Sequence, residues 1–150
     1  SVEEFAKLMN ETANSLGATN SNFVNPHGLT DPDHYTTAYD LYLICNEALN
    51  NNKIMEIIQK STYTSVYHDA NGGDKSIDVA NSNAYIKGEI PTPDNVTVLG
   101  GKTGTTNAAG NCLIIFANNS SGKPFIAIIL QSSDRTTMYA EMTDLLSEIT

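Results

Sequence analysis

The chain has 150 residues, which is the length of one domain or of part of one. It carries 17 acidic and 8 basic residues for a net charge of −9, so it has no basic surface to neutralise the phosphates of nucleic acid or of anionic lipid. The longest apolar runs, Cys112–Ala117 and Phe125–Leu130, are far shorter than the ~20 residues of a membrane-spanning helix. We therefore expect a globular domain without a nucleic-acid partner.

The first 60 residues have the periodicity of helices. Ser1 followed by Glu4 is a capping-box pattern, and Gly17 is placed to end the helix that starts there. A second helix is predicted from Thr36/Thr37, and a short third one follows the break at Asn50–Asn52. The predicted buried residues of the first helix are Val2, Phe5, Met9, Ala13 and Leu16.

A loop of residues 18–35 joins the first two helices and contains four potential metal ligands. They are His27, Asp31, Asp33 and His34. Metal binding is one interpretation, but no third histidine is nearby and the spacing is not the i, i+4 spacing of a helical site. Two prolines and several Asx-turn patterns give the alternative, a stiff structural loop. We expect the loop to hold no metal.

After residue 60 the period changes to that of strands. The predicted strands are, in chain order, Ser61–Tyr67, Ser76–Val79, Val96–Thr106, Cys112–Asn118 and Phe125–Gln131. A turn at residues 71–74 joins the first pair, residues 81–88 form a helical turn, and residues 118–123 close a hairpin between the last two strands. We expect the last three strands to be adjacent and antiparallel.

The closing segment, residues 135–149, has an apolar stripe at helical spacing. Its members are Met138, Met142, Leu145 and Ile149. This helix should pack on one face of the sheet, and the two hairpin strands, apolar on both faces, should be central strands covered on two sides. Helices first, then hairpins, then a closing helix predict an α+β fold, an antiparallel β-sheet with packed helices.

Three further side chains have ordinary structural interpretations. Cys45 and Cys112 lack the spacing of a metal or redox motif, and each lies among apolar residues. We expect two buried thiols that serve as small hydrophobic groups. His68 lies beside the first hairpin turn and should be solvated.

Lys102-Thr103-Gly104 is the first candidate for a functional segment. A strand that ends in these residues offers an ammonium group, a hydroxyl group and a bare stretch of backbone. Lysine and threonine side chains can hold a carboxylate, and the glycine lets a ligand lie against the strand. Three residues alone are weak evidence, but the preceding Gly-Gly and the following hairpin strengthen it.

Ser120-Ser121-Gly122-Lys123 spells Ser-x-x-Lys, the spacing of a serine nucleophile with its lysine base. Such a pair needs both side chains on one helix face. Here the two residues span a predicted hairpin turn that contains a glycine. We therefore interpret this match as accidental.

Two longer motifs together indicate a family. Phe23–Leu29 reads Phe-Val-Asn-Pro-His-Gly-Leu, and Lys102–Thr106 reads Lys-Thr-Gly-Thr-Thr. With them, the chain resembles the serine-type D-alanyl-D-alanine carboxypeptidases, the low-molecular-weight penicillin-binding proteins of bacterial cell-wall metabolism. Further similar segments follow in order from about residue 3 to the closing helix, and they are 9–19, Tyr35–Leu41, Asn81–Asn83 and Ala109–Leu113.

The resemblance covers only part of the family's pattern. Of its three motifs, Ser-x-x-Lys, Ser-x-Asn and Lys-Thr-Gly, the chain has the third; no serine is followed two residues later by asparagine, and its one Ser-x-x-Lys is the hairpin match. The resemblance thus implies the C-terminal portion of a catalytic domain with a partial penicillin-binding-protein/β-lactamase-like fold. Residues 1–60 would form its helical segment, and residues 61–150 its sheet and closing helix.

The resemblance also implies roles for individual residues. Lys102 would organise the cleft and attract the substrate carboxylate, which Thr103 would hydrogen-bond, while Gly104 lets the peptide lie along the strand. The backbone N–H of Thr105 would be one oxyanion-hole donor. His27 would shape the cleft rim without transferring protons. More loosely, Arg135 would reach the same carboxylate.

Two functional hypotheses remain open at this point. The first is part of a carboxypeptidase that removes the terminal D-Ala from peptidoglycan stem peptides through an acyl-enzyme, binds β-lactams when intact, needs no cofactor and acts outside the cytoplasm. The second is a non-catalytic module that binds cell-wall peptide or packs against a partner. A reading frame with a helical Ser-x-x-Lys upstream of this segment would favour the first.

Overall fold

The structure is a computed structural model that describes residues 1–149. It has the α+β architecture that the sequence predicts, with antiparallel strands and packed helices. Its elements are, in order, α1 (Val2–Ser15), α2 (Ala38–Ala48), α3 (Asn52–Ile58), β1 (Thr62–His68), β2 (Asp74–Ala80), β3 (Val96–Thr106), β4 (Gly110–Asn119), β5 (Pro124–Ser132) and α4 (Arg135–Ser147).

The strands form two separate antiparallel sheets. β1 and β2 make a two-stranded ribbon, and the other three strands make a sheet in the order β3-β4-β5. The prediction that the last three strands are adjacent and antiparallel is confirmed. The prediction that both hairpin strands are central is wrong for β5, because β5 ends the sheet order among the described residues. Its apolar character on both faces reflects helices packed above and below it, not strands on either side.

The core lies between the sheet and α4. Leu113 and Ile115 of β4 are fully buried there with Met142 and Leu146 of α4. The predicted apolar stripe of this helix included Leu145. Leu145 is 40% exposed, so the prediction that it is buried is wrong. Met138, Met142 and Leu146 recur at intervals of four residues, which keeps them on the helix face toward the sheet and turns the adjacent Leu145 outward.

The opposite face of the sheet carries α2 and α3. Gly100 of β3 and Phe116 of β4 are register partners and so point to the same side. A Cβ built on Gly100 would lie 2.6 Å from Cγ1 of Ile58, the last residue of α3. The glycine therefore lets α3 approach the backbone of β3 closely.

Helix α1 begins at its predicted cap but buries only part of its predicted stripe: Ala13 is buried, and Met9 and Leu16 are half-buried. The Ser1 hydroxyl accepts a hydrogen bond from the Glu4 N–H at 3.3 Å. Val2 is 45% and Phe5 is 53% exposed, while Ala6 and Ala13 are buried. Among residues 1–149 the start of this helix is buried through a small residue, Ala6, while the larger Val2 and Phe5 stay exposed, so the prediction is wrong for those two.

The loop of residues 18–35 is held by polar contacts on both sides. The Asn10 side chain exchanges two 2.8 Å hydrogen bonds with the backbone of Phe23. The buried Asp40 carboxylate accepts from the Asn20 N–H and the Ser21 hydroxyl, each at 2.7 Å. These bonds tie the loop to α1 and α2, so it is an ordered part of the structure.

Inside this loop the predicted Asx turns are present. The Gly28 N–H donates to Asn25 Oδ1 at 2.7 Å, and the Asp33 N–H donates to Asp31 Oδ1 at 2.9 Å. His34 accepts from a backbone N–H through Nδ1 at 3.2 Å. Among residues 1–149 no three His, Cys, Asp or Glu side chains form a group suited to a metal ion. That the loop binds no metal stays a prediction.

The two cysteines differ in environment. Cys45 is buried in α2, and burial raises the pKa of its thiol to about 11. Cys112 is only half-buried, and its thiol donates to the Ala109 carbonyl at 3.4 Å. The prediction of two buried thiols is therefore wrong for Cys112, which is the third residue of β4, close to the β3–β4 turn. His68 is exposed as predicted, with Nδ1 2.6 Å from an Asp74 carboxylate oxygen.

None of the helices in the described part of the chain is both long enough and apolar enough to cross a membrane.

The residue that caps the N-terminus of α4, Asp134, makes the stability of the folded chain depend on pH in the acidic range. The Asp134 carboxylate caps the helix by accepting from the N–H and the hydroxyl of Thr137, and it also accepts from the Ser133 hydroxyl. These bonds lower the pKa of Asp134 from 3.8 to about 2. Because the folded pKa lies below the unfolded one, the stabilisation is present above pH 3.8 and disappears as the pH falls through 2.

We expect Asp134→Asn to flatten the pH dependence of unfolding in that window. Asparagine caps a helix about as well as aspartate but does not titrate. Urea unfolding from pH 5 to 2 should show a smaller loss of stability for Asp134→Asn than for the wild type, whereas Asp144→Asn, on the same helix but away from the cap, should follow the wild type. Identical slopes for wild type and Asp134→Asn would refute the assignment.

Candidate functional site

The Lys102-Thr103-Gly104 segment lies on β3, which ends the sheet order opposite to β5. Half the backbone groups of such an edge are not used by a neighbouring strand of this sheet. Lys102 and Gly104 are exposed, and Thr103 is half-buried. Apart from its two chain neighbours, no residue within 1–149 has an atom closer than 4 Å to a Cβ built on Gly104, so the strand is bare at this point and a second chain can approach it closely.

A short segment before β3 supports this strand from the α4 side. The Asn81 side chain donates to the Lys60 carbonyl at 2.9 Å and accepts from the Asn83 N–H at 2.9 Å. Asn83 is fully buried and accepts from the Tyr85 N–H at 3.0 Å. The predicted helical turn here appears as hydrogen-bonded turns, including the Lys87 N–H to Asn83 carbonyl bond.

Ser82, between these two asparagines, contacts Thr103 directly. The two hydroxyl oxygens are 2.6 Å apart. The Lys102 ammonium is hydrogen-bonded to the Thr103 carbonyl. Thr103 is therefore hydrogen-bonded through its hydroxyl to Ser82 and through its backbone carbonyl to Lys102.

Arg135 reaches the same serine from the start of α4. Its Nη2 donates to the Ser82 carbonyl at 3.2 Å, and its guanidinium group lies over the Tyr139 ring at 5.0 Å. The Tyr139 hydroxyl contacts the same carbonyl at 3.4 Å and accepts from the Ala84 N–H at 2.9 Å. The structure thus brings Arg135 and Thr103 together through Ser82.

The end of β3 is shaped by its turn into β4. The Thr105 hydroxyl donates to Asn111 Oδ1 at 3.2 Å, and Thr106 Oγ1 accepts from the Ala109 N–H at 3.0 Å. A cavity of about 410 Å³ lies between this turn and the loop of residues 18–35. Leu29 and His34 line it on the loop side and Cys112 on the sheet side.

His27 itself is exposed and does not line that cavity, although the next two residues do. Its Nδ1 accepts from the Leu29 N–H at 3.2 Å. This bond shapes the loop backbone within two residues, and in the described part of the chain no hydrogen bond joins His27 to the Lys-Thr-Gly strand. Its role at the cleft rim stays a prediction.

The Ser-x-x-Lys match lies on the turn between β4 and β5, where a hairpin was predicted. Asn119 Oδ1 accepts from the N–H groups of Ser121 and Lys123 at 3.1 and 2.9 Å, and Gly122 has φ of +81°. A glycine in the left-handed region is typical of a tight hairpin turn. Ser120 and Lys123 therefore do not share the helix face that a serine nucleophile and its lysine base require.

The sequence motifs indicate the Lys102–Gly104 strand but do not single out Ser82. The pattern Asn81-Ser82-Asn83 could have indicated that Ser82 is held in place. The side chains of the two asparagines bond to local backbone and so fix the residue between them. What the sequence did not show is that this segment, 21 residues before Thr103, packs against it.

Residues 1–134 match the sequence profile of D-alanyl-D-alanine carboxypeptidases of peptidase family S11. The chain is 34% identical over 148 residues to the D-alanyl-D-alanine carboxypeptidase DacF of Bacillus subtilis, a match that covers 97% of this chain and 35% of the relative. It is 29% identical over 129 residues to DacA of Haemophilus influenzae, covering 86% and 30%.

Among solved structures, a mutant of the Streptomyces K15 DD-transpeptidase superposes with a TM-score of 0.85 at 25% identity, covering 96% of this chain and 53% of that one. The chain thus spans about a third of the length of the curated relatives and about half of the solved chain. The profile match over most of the chain and the shared fold lead to one conclusion: the chain belongs to the peptidase S11 family of D-alanyl-D-alanine carboxypeptidases, the penicillin-binding proteins of bacterial cell-wall metabolism.

Proposed function

We propose that this chain is the C-terminal portion of the catalytic domain of a serine-type carboxypeptidase that acts outside the cytoplasm on peptidoglycan stem peptides ending in D-Ala-D-Ala. The observation that carries the proposal is the bare, exposed edge of β3 at Gly104, beside a Thr103 hydroxyl held by its neighbour. An edge strand accepts an extended peptide by main-chain hydrogen bonds. Family membership supplies the substrate class.

In this proposal the strand binds the substrate by its C-terminal carboxylate. Thr103 donates to that carboxylate, and the charges of Lys102 and Arg135 attract it. The Thr105 N–H donates to the carbonyl oxygen as it becomes an oxyanion. β-Lactams, which carry a carboxylate beside a reactive carbonyl, would use the same groups in the complete enzyme.

The covalent step needs groups that these 150 residues do not supply. In the complete reaction a serine oxygen attacks the carbonyl carbon between the two D-Ala residues, its proton passes to a lysine, D-Ala leaves, and water then releases the shortened peptide. The chain has no Ser-x-Asn, and its one Ser-x-x-Lys lies on the β4–β5 turn. We infer that another part of the enzyme supplies the nucleophile and base, and that this chain alone is inactive.

The proposal is tested by titrating the ¹⁵N-labelled chain with acetyl-D-Ala-D-Ala and following backbone amides by NMR. We expect shift changes confined to residues 102–105 and their neighbours, with weak, reversible binding. Thr103→Val keeps the branched shape but removes the donor, and should weaken binding by about 10- to 100-fold, the range expected for one hydrogen bond to a charged group. Thr97→Val, an exposed position at the other end of β3, should bind as the wild type does.

A titration in which the β3 amides do not respond would contradict the proposal, as would equal affinity of Thr103→Val and the wild type.

A further inference from the structure

We propose that Ser82 is a positioning residue that aligns Thr103 and Arg135 toward one carboxylate. The inference rests on the proposed function, because it concerns how the carboxylate-binding groups of β3 and α4 are held. Ser82 is the residue on which both groups converge: its hydroxyl contacts the Thr103 hydroxyl, and its carbonyl accepts from Arg135.

The hydroxyl contact has a preferred direction once a carboxylate is bound. Each hydroxyl has one proton to donate, and a carboxylate only accepts. For Thr103 to donate to the carboxylate, its oxygen must receive the 2.6 Å bond from Ser82 instead of donating to it. Ser82 thus holds the Thr103 oxygen in place while leaving its proton free for the ligand, and the chain of two donors strengthens the second bond.

The backbone of Ser82 is fixed well enough to serve as this support. Asn81 and Asn83 on either side are each bonded to nearby backbone through their side chains, and Asn83 is fully buried. The Tyr139 hydroxyl accepts from the next N–H, that of Ala84, at 2.9 Å. The Ser82 side chain itself is exposed, so its hydroxyl is not required by the core.

The Ser82 carbonyl fixes the second group. It accepts from Nη2 of Arg135, whose guanidinium group is also held over the Tyr139 ring. A guanidinium group has five N–H donors, so this one bond leaves others for a ligand. Removing the Ser82 hydroxyl leaves the carbonyl contact in place, so Ser82→Ala separates the effect on Thr103 from any effect on Arg135.

The experiment compares the wild type with Ser82→Ala, Ser82→Thr and the control Ser76→Ala, an exposed serine on the separate β1–β2 ribbon. The first readout needs no ligand: three-bond couplings from Cγ2 of Thr103 to its backbone nitrogen and carbonyl carbon report its χ1 angle. The second is the ratio of affinities for acetyl-D-Ala-D-Ala and for its C-terminal amide, which isolates recognition of the carboxylate.

We expect one χ1 value for Thr103 in the wild type and averaged couplings in Ser82→Ala. The preference for the acid over the amide should fall about 3- to 10-fold in Ser82→Ala, as for the loss of one ordinary hydrogen bond, with affinity for the amide unchanged. Ser82→Thr should restore both readouts, and Ser76→Ala should alter neither.

Unchanged Thr103 couplings in Ser82→Ala would overturn the inference, and so would an equal loss of acid preference in Ser82→Ala and Ser82→Thr. If the wild type binds acid and amide equally, the carboxylate-binding function proposed above fails. The Thr103 couplings still decide whether Ser82 orients that side chain.

Discussion

Gly101→Ala is expected to destabilise the chain by more than ~3 kcal/mol or to prevent its folding, as overpacking against backbone does. A Cβ at this position would lie 2.1 Å from the Ile114 carbonyl oxygen, 3.1 Å from Cδ1 of Ile115 and 3.2 Å from Nδ2 of Asn83. The nearest of these atoms belongs to the β3–β4 ladder, and the other two belong to buried side chains. None can move away without breaking strand pairing or core packing.

The matched control is Gly104→Ala, three residues along the same strand. In the part of the chain that the structure describes, only the two chain neighbours come within 4 Å of a Cβ built there, so urea unfolding should show a change within about 1 kcal/mol. The two variants carry the same chemical change, and their difference in unfolding free energy isolates the close approach at Gly101. Equal stabilities would mean that β3 does not pack against β4 and Asn83 as described.

Gly104→Ala should nevertheless affect function. Its added methyl group stands where an extended peptide would approach the strand, so binding of acetyl-D-Ala-D-Ala should weaken although the fold is retained. The two glycines would then have separate roles, one in packing and one in substrate access.

Incubation of the chain with a large excess of fluorescent penicillin is expected to give no covalent adduct. Acyl transfer needs a nucleophile, a base, an oxyanion hole and a carboxylate-binding group together. Lys102, Thr103 and the Thr105 N–H would supply only part of this set. Without the nucleophile the rate loses the many orders of magnitude that separate an enzyme from the uncatalysed reaction.

Intact-mass spectrometry provides the measurement, with a complete D-Ala-D-Ala carboxypeptidase as the positive control. The informative variant is Ser120→Ala, because Ser120 is the serine of the only Ser-x-x-Lys in the chain. A penicillin adduct on the wild type that Ser120→Ala abolishes would mean that the hairpin serine is a nucleophile, against the geometry of the β4–β5 turn.

The features predicted well from sequence are those that depend on neighbours in the chain. The cap at Ser1, the Asx turns of the 18–35 loop and the hairpin turn at residues 118–123 involve bonds between residues at most four apart. Such bonds are decided by local residue types. The strand bearing Lys102 was likewise marked by its flanking glycines and the hairpin that follows.

The features predicted wrongly depend on what packs from a distance. Phe5 lies on a correctly predicted helix, but its exposure is decided by which element covers that face. Leu145 and Leu146 are adjacent leucines, and only the position of α4 on the sheet determines which one is buried. The partnership of Ser82 with Thr103 required a long-range contact that no local pattern indicates.

The order of the strands along the chain also bears on how the site assembles during folding. β3, β4 and β5 are consecutive, joined by turns of three and four residues, and α4 follows almost at once. Hairpins of this kind form in about 1–10 μs. The contacts of Ser82 with Thr103 and of Ala84 with Tyr139 span 21 and 55 residues, and closing longer loops costs more chain entropy. We therefore expect the sheet to form first, and the groups that we propose bind the carboxylate to be aligned last, on a scaffold that is already folded.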